Sequence, residues 1–241
     1  MSFFYHSNGA DTNFDPEFPN SLDDVLRIRT KNSINLLNLQ ASDAGVSPTQ
    51  WQKSLYPSEF QSKISVIHEG INADIAKPNS KAVFTLLNGQ KITTKDKVVT
   101  YVARNLEPYR GFHQFISALP EICQRQPDCH VLIVGGDDIS YGRKHDGGLS
   151  YREKLMQELS FDQNRVHFLG KLPYADYLSV LQISSAHVYL TVPFVLSWSM
   201  LEAMAVECVV IASNTAPVSE VINSKNGLLV DFFHPMKLQK K

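Results

Sequence analysis

Two arginines six residues apart are the pair best suited to chemistry in this sequence of 241 residues. Arg104 and Arg110 follow a β-rich run at 98–102 and precede a predicted helix that starts near residue 111. The planar guanidinium of arginine donates paired hydrogen bonds to phosphate, so two arginines that bracket a loop are suited to grip a diphosphate from two sides. The alternative is a solvated loop with two surface arginines.

A second candidate site is the segment 193–205, which follows an apolar run at 186–191 that predicts a buried strand. Ser197 is predicted to cap a helix over 197–205, and the unpaired amides of such a helix start suit phosphate. Glu202 lies about one turn inside that helix, where its carboxylate can accept hydrogen bonds from two neighbouring hydroxyls, as on a ribose. The alternative is an ordinary amphipathic helix with one solvated glutamate.

Three further strand ends carry candidate groups. Gly135 and Gly136 end the run 130–134, and glycine lets a backbone approach a ligand closely, although no G-x-G-x-x-G motif is present. The backbone of residues 168–170 is suited to flank a flat base, and Glu220 lies in another strand-to-helix loop predicted to face the same crevice. The acidic pair that follows Gly136 is expected to be solvated, so no metal site is predicted.

The elements that must position these groups alternate strictly from residue 97 onward, which predicts a parallel sheet covered on both faces. Because the carboxyl ends of parallel strands meet at one edge, the candidate groups are expected there together. The predicted strands are 98–102, 130–134, 166–168, 186–191, 209–211 and 228–230, and the predicted helices are 111–123, 150–160, 174–181 and 197–205.

The first part of the chain reads differently. A helix capped by Asp23 is predicted to run to about residue 39, then a strand at 41–46, a helix opened by Ser47, and a strand at 64–67. Residues 73–96 are polar and broken by turn signals, which is typical of a connector. The predicted organisation is a partial domain over 1–72, a linker over 73–96 and a complete domain over 97–241.

Composition excludes several function classes. The net charge of −1 predicts no nucleic-acid partner and no strong attraction to anionic membranes. Three cysteines with neither metal spacing nor a disulfide framework favour a reducing cytoplasm. No apolar run reaches membrane-spanning length, and no signal peptide is evident. The sequence therefore predicts a cytoplasmic protein.

A set of motifs in order resembles the donor half of a GT-B glycosyltransferase of the family-4 (group 1) type. The motifs are Val102-Ala-Arg-Asn-Leu-Glu-Pro-Tyr-Arg-Gly111, Ile133-Val-Gly-Gly136, Phe168-Leu-Gly170, Leu201-Glu-Ala-Met-Ala205, Glu220-Val-Ile222 and Asn226-Gly-Leu-Leu-Val230. The similarity covers residues 97–234, and residues 1–72 resemble the end of that family's acceptor domain. The resemblance implies an α/β protein with a Rossmann-like donor domain and a truncated second Rossmann-like domain.

The resemblance also implies roles. Arg104 and Arg110 would hold the diphosphate and act in catalysis, and Glu202 would contact the donor ribose. The strand end beside the base of the donor would consist of Phe168, Leu169 and Gly170. The groups near the distal phosphate or the sugar would be Leu196, Ser197, Trp198 and Ser199. The implied reaction is retaining transfer of a sugar from a nucleotide-diphospho-sugar to a hydroxyl of a sugar, lipid or polysaccharide acceptor. No cofactor or metal is expected, and a full-length parent would associate peripherally with membranes.

Three departures from the family pattern matter. Phe194 stands where the E-x7-E motif has its first acid, which puts sugar handling in doubt. Glu207 stands where glycine is usual, and a positive φ there would cost about 1 kcal/mol. Early strand–helix units and a final crossing helix are not seen, so a truncated form is expected. A non-catalytic nucleotide-sugar-binding remnant stays open as the alternative, and a nicotinamide-dependent dehydrogenase half is disfavoured by the absence of G-x-G-x-x-G.

Overall fold

The structure is a computed structural model that describes residues 16–17, 19, 21–140, 148–159, 162 and 164–234. In chain order the helices and strands are α1 Leu22–Ala41, β1 Gly45–Ser47, α2 Gln50–Ser54, α3 Ser58–Gln61, β2 Ile64–Val66, β3 Val83–Thr85, β4 Lys91–Thr93, β5 Lys97–Asn105, α4 Phe112–Arg125, β6 Cys129–Gly136, α5 Tyr151–Glu158, β7 Val166–Gly170, α6 Tyr174–Gln182, β8 Ala186–Tyr189, α7 Trp198–Ala205, β9 Val209–Ser213, α8 Ala216–Ser219 and β10 Leu228–Val230. They divide between two compact units. The first is Met1–Gly70, Val192–Leu196 and Thr215–Val221, and the second is Ile71–Thr191, Ser197–Asn214 and Ile222–Lys241.

The first unit opens with helix α1, whose predicted cap at Asp23 is wrong. Ser21 is the N-cap, because its hydroxyl accepts from the Asp24 amide at 3.3 Å while the Asp24 carboxylate accepts from the Ser21 amide at 2.9 Å. This reciprocal capping box satisfies two donors at once, and Asp23 has no such exchange of bonds in the structure.

The next helix of the first unit begins later than predicted, whereas α1 begins earlier. Ser47 ends strand β1 and does not cap a helix; its hydroxyl donates to the Thr49 carbonyl at 3.1 Å. Thr49 is the cap of α2, accepting from the Gln52 amide at 3.0 Å. The predicted strand at 64–67 is confirmed as β2, which pairs in parallel with β1.

A six-stranded sheet forms the centre of the second unit, in the order β10-β9-β8-β5-β6-β7. Every neighbouring pair is parallel, so the parallel sheet predicted from strand–helix alternation is confirmed. The β5 side chains Val98, Thr100 and Tyr101 are buried because both faces of a parallel sheet are covered. The Tyr101 ring stacks on Phe115 with centroids 4.8 Å apart.

Residues 73–96, predicted as a polar connector, contain an antiparallel hairpin of β3 and β4. Ala82, Leu86 and Ile92 from this segment are buried in one cluster with Val98 and Leu132 of the large sheet. Strands of three residues are too short to show the alternation that reveals longer strands, which is why the pattern missed them. The domain boundaries themselves stay a prediction.

The strand order reverses at β5, because the chain passes from β5 to β6 and β7 on one side and returns to β8, β9 and β10 on the other. Such a switch point leaves a crevice outside the carboxyl ends of the strands, where α/β proteins bind ligands. The residues that end the strands around it are Asn105, Gly136, Gly170, Tyr189 and Ser213.

Glu207 follows α7 with a φ of 64°, as expected from its place where glycine is usual, and it is the one non-glycine residue of the described chain with a positive φ. We expect Glu207→Gly to stabilise the protein by about 0.5–1 kcal/mol, because glycine relieves the left-handed strain but adds entropy to the unfolded chain. The gain is measurable as a higher urea midpoint at an unchanged m-value. Glu207→Ala removes the carboxylate and keeps the Cβ, so equal gains in both variants would contradict the strain argument.

Candidate functional site

The loop after β5 is built to fix Arg110. A 3-10 turn at Pro108–Arg110 ends at Gly111, which has a φ of 66°. The Tyr101 hydroxyl donates to the Arg110 carbonyl at 2.6 Å. A Cβ on Gly111 would lie 2.4 Å from the Leu190 Cβ, so only glycine fits between this turn and β8. The main chain of Arg110 is therefore fixed by its hydrogen bond to Tyr101 of β5 and by the packing of Gly111 against Leu190.

The Arg110 guanidinium lies across the carboxyl ends of β5 and β8. Its Nη1 donates to the Tyr189 hydroxyl at 3.2 Å and to the Thr191 Oγ1 at 3.1 Å. Tyr189 and Thr191 are both buried, whereas Arg110 is half-buried. The structure thus places the positive charge of Arg110 at the switch point of the sheet. In these two contacts, neutral hydroxyl groups orient the guanidinium.

Arg104 has a different environment. It lies one residue before the end of β5, its side chain is exposed, and within the described ranges it makes no hydrogen bond or ion pair to the protein. Arg104 therefore lies at the end of β5 and is open to solvent, whereas Arg110 lies in the loop after that strand and is held by hydroxyl groups. The catalytic role predicted for them stays a prediction.

The start of α7 agrees with the sequence. Ser197 is its N-cap, with its hydroxyl accepting from the Ser199 amide, and the Ser197 amide donates to the Tyr189 hydroxyl at 2.8 Å. Trp198 is 58% exposed and Ser199 is buried, so the first turn presents one aromatic ring outward. Leu196 belongs to the first unit, where it is buried.

Glu202 is buried, so the alternative of a solvated glutamate is wrong. Its two carboxylate oxygens accept from the hydroxyls of Tyr174, at 2.8 Å, and Tyr177, at 2.5 Å, which lie one turn apart on α6. Burial, and then the hydrogen bond to Glu202, raise the pKa of both phenols, so both stay protonated and donate. A carboxylate offers about four acceptor positions, so the two tyrosines do not use all of them, and the ribose contact predicted for Glu202 stays a prediction.

Packing requires one of the two glycines at the end of β6. A Cβ on Gly135 would lie 2.7 Å from the Ala103 carbonyl oxygen, which is main chain, whereas a Cβ on Gly136 would meet the end of the flexible Lys171 side chain, which can move away. The two aspartates that follow are paired with cations: Asp137 with Arg152 at 2.6 Å, and Asp138 with Lys171 at 3.1 Å. Both aspartates are exposed, as expected, and their ion pairs lie at the surface. No group of three or more metal-ligating side chains occurs among the described residues.

The strand end predicted to flank a base has two partly buried residues, Phe168 and Leu169, followed by the exposed Gly170. The Leu169 side chain packs against the hydrophobic cluster of the hairpin, and the Arg152 guanidinium lies over the Phe168 ring at 5.3 Å from its centroid. Gly170 has a φ of 66° with nothing within 4 Å of a built Cβ. The side chains of 168 and 169 are thus engaged by the protein, and the backbone is what remains for a ligand.

Glu220 lies in the first unit, directly after α8. Its carboxylate accepts from the amides of Gln50, at 2.8 Å, and Trp51, at 2.5 Å, at the start of α2. In this structure Glu220 caps a helix, which is a favourable place for a carboxylate because the helix dipole is positive there. Its predicted role in donor binding stays a prediction.

Sequence reasoning missed the tyrosine and threonine hydroxyls that orient the charged groups. Tyr189 and Thr191 alternate at the end of a strand, and Tyr174 and Tyr177 lie three apart on a helix. These spacings place each pair on one face, which was the available signal. The identity of their charged partners depends on contacts across the sheet that no local pattern contains.

Comparisons with known proteins place this arrangement in a family. Residues 1–76 match the group described as Glycosyl transferase family 4 group, and residues 85–241 match Glycosyl transferases group 1. The chain belongs to the glycosyl transferases group 1 family. The prediction that the chain belongs to a family of glycosyltransferase enzymes is confirmed.

Two mycobacterial relatives are named phosphatidyl-myo-inositol mannosyltransferase. The protein of Mycolicibacterium smegmatis is 29% identical over 223 residues, covering 79% of this chain and 53% of the relative. The protein of Mycobacterium tuberculosis H37Rv is 27% identical over 193 residues, covering 69% of this chain and 47% of the relative. The chain therefore spans about half the length of these curated relatives.

Solved structures share the fold at low identity. Sucrose-phosphate synthase from Thermosynechococcus elongatus matches with a TM-score of 0.67 and 24% identity over 84% of this chain and 49% of that one. Anabaena Alr3699/HepE in complex with UDP-glucose matches with a TM-score of 0.63 and 20% identity over 90% of this chain and 56% of that one. The predicted GT-B type of α/β fold is confirmed.

Other expectations stay predictions: a truncated form, a cytoplasmic location and the absence of a cofactor. In the described part of the chain no helix combines the length and apolar character needed to cross a membrane.

Proposed function

We propose that this chain binds a nucleotide-diphospho-sugar at the carboxyl edge of its six-stranded sheet and that its protein transfers the sugar to an acceptor hydroxyl. The observation that carries the proposal is the Arg110 guanidinium, oriented by Tyr189 and Thr191 at the switch point of the sheet. A diphosphate is the anion that fits this position, because α7 begins beside it and the partial positive charge of the helix start lies at the same edge. Membership of the glycosyl transferases group 1 family supports the same ligand class.

Charge stabilisation would be the main catalytic contribution. Negative charge builds up on the diphosphate as the bond to the sugar breaks, and donors fixed in advance stabilise it without reorganising. Arg110 and Arg104 supply such donors, and the partial positive charge at the start of α7 adds to them. With two guanidinium groups on the leaving group a metal ion is not required, and the reaction proposed is transfer with retention at the anomeric carbon.

The substrate classes proposed follow from the relatives. The name of the mycobacterial relatives, phosphatidyl-myo-inositol mannosyltransferase, supports a mannosyl group and a lipid acceptor, and the UDP-glucose bound to the Anabaena protein supports a uridine nucleotide. A sugar or polysaccharide acceptor, and peripheral attachment of the whole protein to a membrane, belong to the same proposal. The second candidate is binding of the nucleotide sugar without transfer. It is favoured by Phe194, a buried hydrocarbon side chain where an acid is expected to meet the sugar.

A thermal-shift screen against UDP-glucose, GDP-mannose and ADP-glucose tests the proposal, followed by a separate assay of turnover. A ligand at 100 times its Kd adds about 2.7 kcal/mol to the stability of the folded state, which gives a clear shift in Tm. Binding with turnover supports transfer, and binding alone supports the second candidate. No shift with any of the three sugars would contradict both.

We expect Arg110→Ala and Arg104→Ala each to weaken binding of the nucleoside diphosphate by about 1.5–3 kcal/mol, the contribution of hydrogen bonds to charged groups. The loss is measured as a ratio of Kd values by calorimetry. Arg125→Ala serves as the matched control, since Arg125 pairs with Glu121 on the surface of α4. Unchanged affinity in both test variants would remove these arginines from the site.

A further inference from the structure

One hydroxyl oxygen of the second unit holds two parts of the site at the same time. Tyr189, the last residue of β8, is 2% exposed, and its hydroxyl accepts from the Arg110 Nη1 at 3.2 Å and from the Ser197 amide at 2.8 Å. A phenol oxygen has two acceptor positions and both are used, so its own proton is left to be donated. Within the described ranges that proton has no acceptor.

We propose that Tyr189 is a positioning residue for the distal phosphate of the nucleoside diphosphate. Its hydroxyl fixes where the Arg110 guanidinium lies and, through the Ser197 amide, how the chain enters α7. The proximal phosphate and the nucleoside do not depend on this link, because Glu202 and the strand end at 168–170 are fixed by other contacts. This inference rests on the proposed function.

Two neighbouring hydroxyls make different contacts. Tyr101 donates to the main-chain carbonyl of Arg110 at 2.6 Å. Thr191 accepts from the same Nη1, and its hydroxyl donates to the Tyr109 carbonyl at 3.4 Å. Loss of the Tyr189 hydroxyl would therefore loosen the guanidinium and the start of α7 together, while the Thr191 contact to the guanidinium is kept.

The first test is Tyr189→Phe, which keeps the buried ring and removes only the hydroxyl. Calorimetry is carried out with UDP, GDP and ADP and with the matching monophosphates. For the nucleotide pair that the wild type binds, we expect the affinity for the diphosphate to fall about 5- to 20-fold and that for the monophosphate to change by less than about twofold. Tyr56→Phe, which removes a hydroxyl in the first unit, is the control and should leave both affinities unchanged.

A double-mutant cycle with Arg110→Ala separates positioning from a general loss of structure. Because part of the effect of Tyr189 passes through Arg110, the combined variant should bind the diphosphate at least about threefold better than the product of the two single losses predicts. If Tyr189→Phe caused a structural defect, its fold-loss of affinity would instead multiply with that of Arg110→Ala, and binding of the monophosphate would weaken as much as binding of the diphosphate. If Tyr189→Phe yields too little folded protein, Thr191→Val removes another acceptor of the guanidinium, with an expected loss of about 2- to 5-fold for the diphosphate only.

The outcomes distinguish this inference from the proposed function. If the wild type binds none of the three diphosphates, the proposed function fails and the inference fails with it. Three results with a wild type that binds would overturn the inference alone. Tyr189→Phe could keep full diphosphate affinity, or it could lose monophosphate and diphosphate affinity equally. In the third, the affinity losses of Tyr189→Phe and Arg110→Ala would multiply in the double variant. A selective loss of diphosphate affinity that is not multiplicative with Arg110→Ala supports it.

Discussion

Gly111→Ala is expected to destabilise the second unit by about 2–4 kcal/mol, because a left-handed alanine costs about 1 kcal/mol and overpacking of a well-packed core costs about 1–3 kcal/mol more. The new Cβ would lie 2.4 Å from the Leu190 Cβ and 3.0 Å from the Phe232 ring. Neither neighbour is the free end of a flexible chain, since Leu190 is buried directly after β8. The 3-10 turn must move instead, and it carries Arg110 with it.

Urea unfolding measures the stability change, and Gly89→Ala is the matched control. Gly89 also has a positive φ, of 84°, but nothing lies within 4 Å of a Cβ built on it, so its variant reports the backbone cost alone. The difference between the two variants isolates the clash with Leu190. Equal losses in both would show that the turn relaxes freely and that Arg110 is not fixed by the packing of Gly111.

Features set by neighbours in the chain were predictable. The Ser197 cap and the positive φ at Glu207 depend on local backbone geometry, and sequence reasoning found both. The parallel sheet followed from the alternation of apolar runs with helices. Where two capping residues competed, at Ser21 and Asp23, the prediction erred by two positions because the reciprocal bond to Asp24 was not weighed.

Features set across the sheet were not predictable from local patterns. Sequence reasoning treated Arg104 and Arg110 as equivalent, and the structure leaves one exposed and ties the other to hydroxyls some 80 positions further along the chain. Glu202 was expected to be open to a ligand or to solvent, and two tyrosines of α6 hold it. The types of residue were visible, but which of them meet depends on strand order and register.

The stability of the protein is expected to fall by about 2 kcal/mol between pH 7.5 and pH 5, because of one buried histidine. His187 lies in the centre of the sheet with its Nδ1 3.0 Å from the Thr100 hydroxyl, and burial lowers its pKa from 6.5 to about 4. The unfolded chain takes up the proton first, so the stabilisation is complete above pH 6.5 and is lost as the pH falls toward 4. Burial and the nearby His130 lower the pKa of His167, which acts in the same direction.

The carboxylates with lowered pKa values do not act in this pH window. Hydrogen bonds to the Thr93 amide and hydroxyl lower the pKa of Asp96 from 3.8, so its contribution is lost only at still lower pH. The histidine effect is therefore measurable by urea unfolding at pH 7.5 and pH 5.0.

His187→Leu is the decisive variant, because leucine fills a similar space without a titrating group. The Thr100 hydroxyl keeps its bond to the Ser184 hydroxyl at 2.8 Å, so the replacement leaves no new unpaired group there. Whatever its absolute stability, this variant should lose about 2 kcal/mol less than the wild type between the two pH values. His234→Asn, at an exposed position, should keep the wild-type dependence. A His187→Leu protein that loses as much stability as the wild type would place the pH sensitivity in another group.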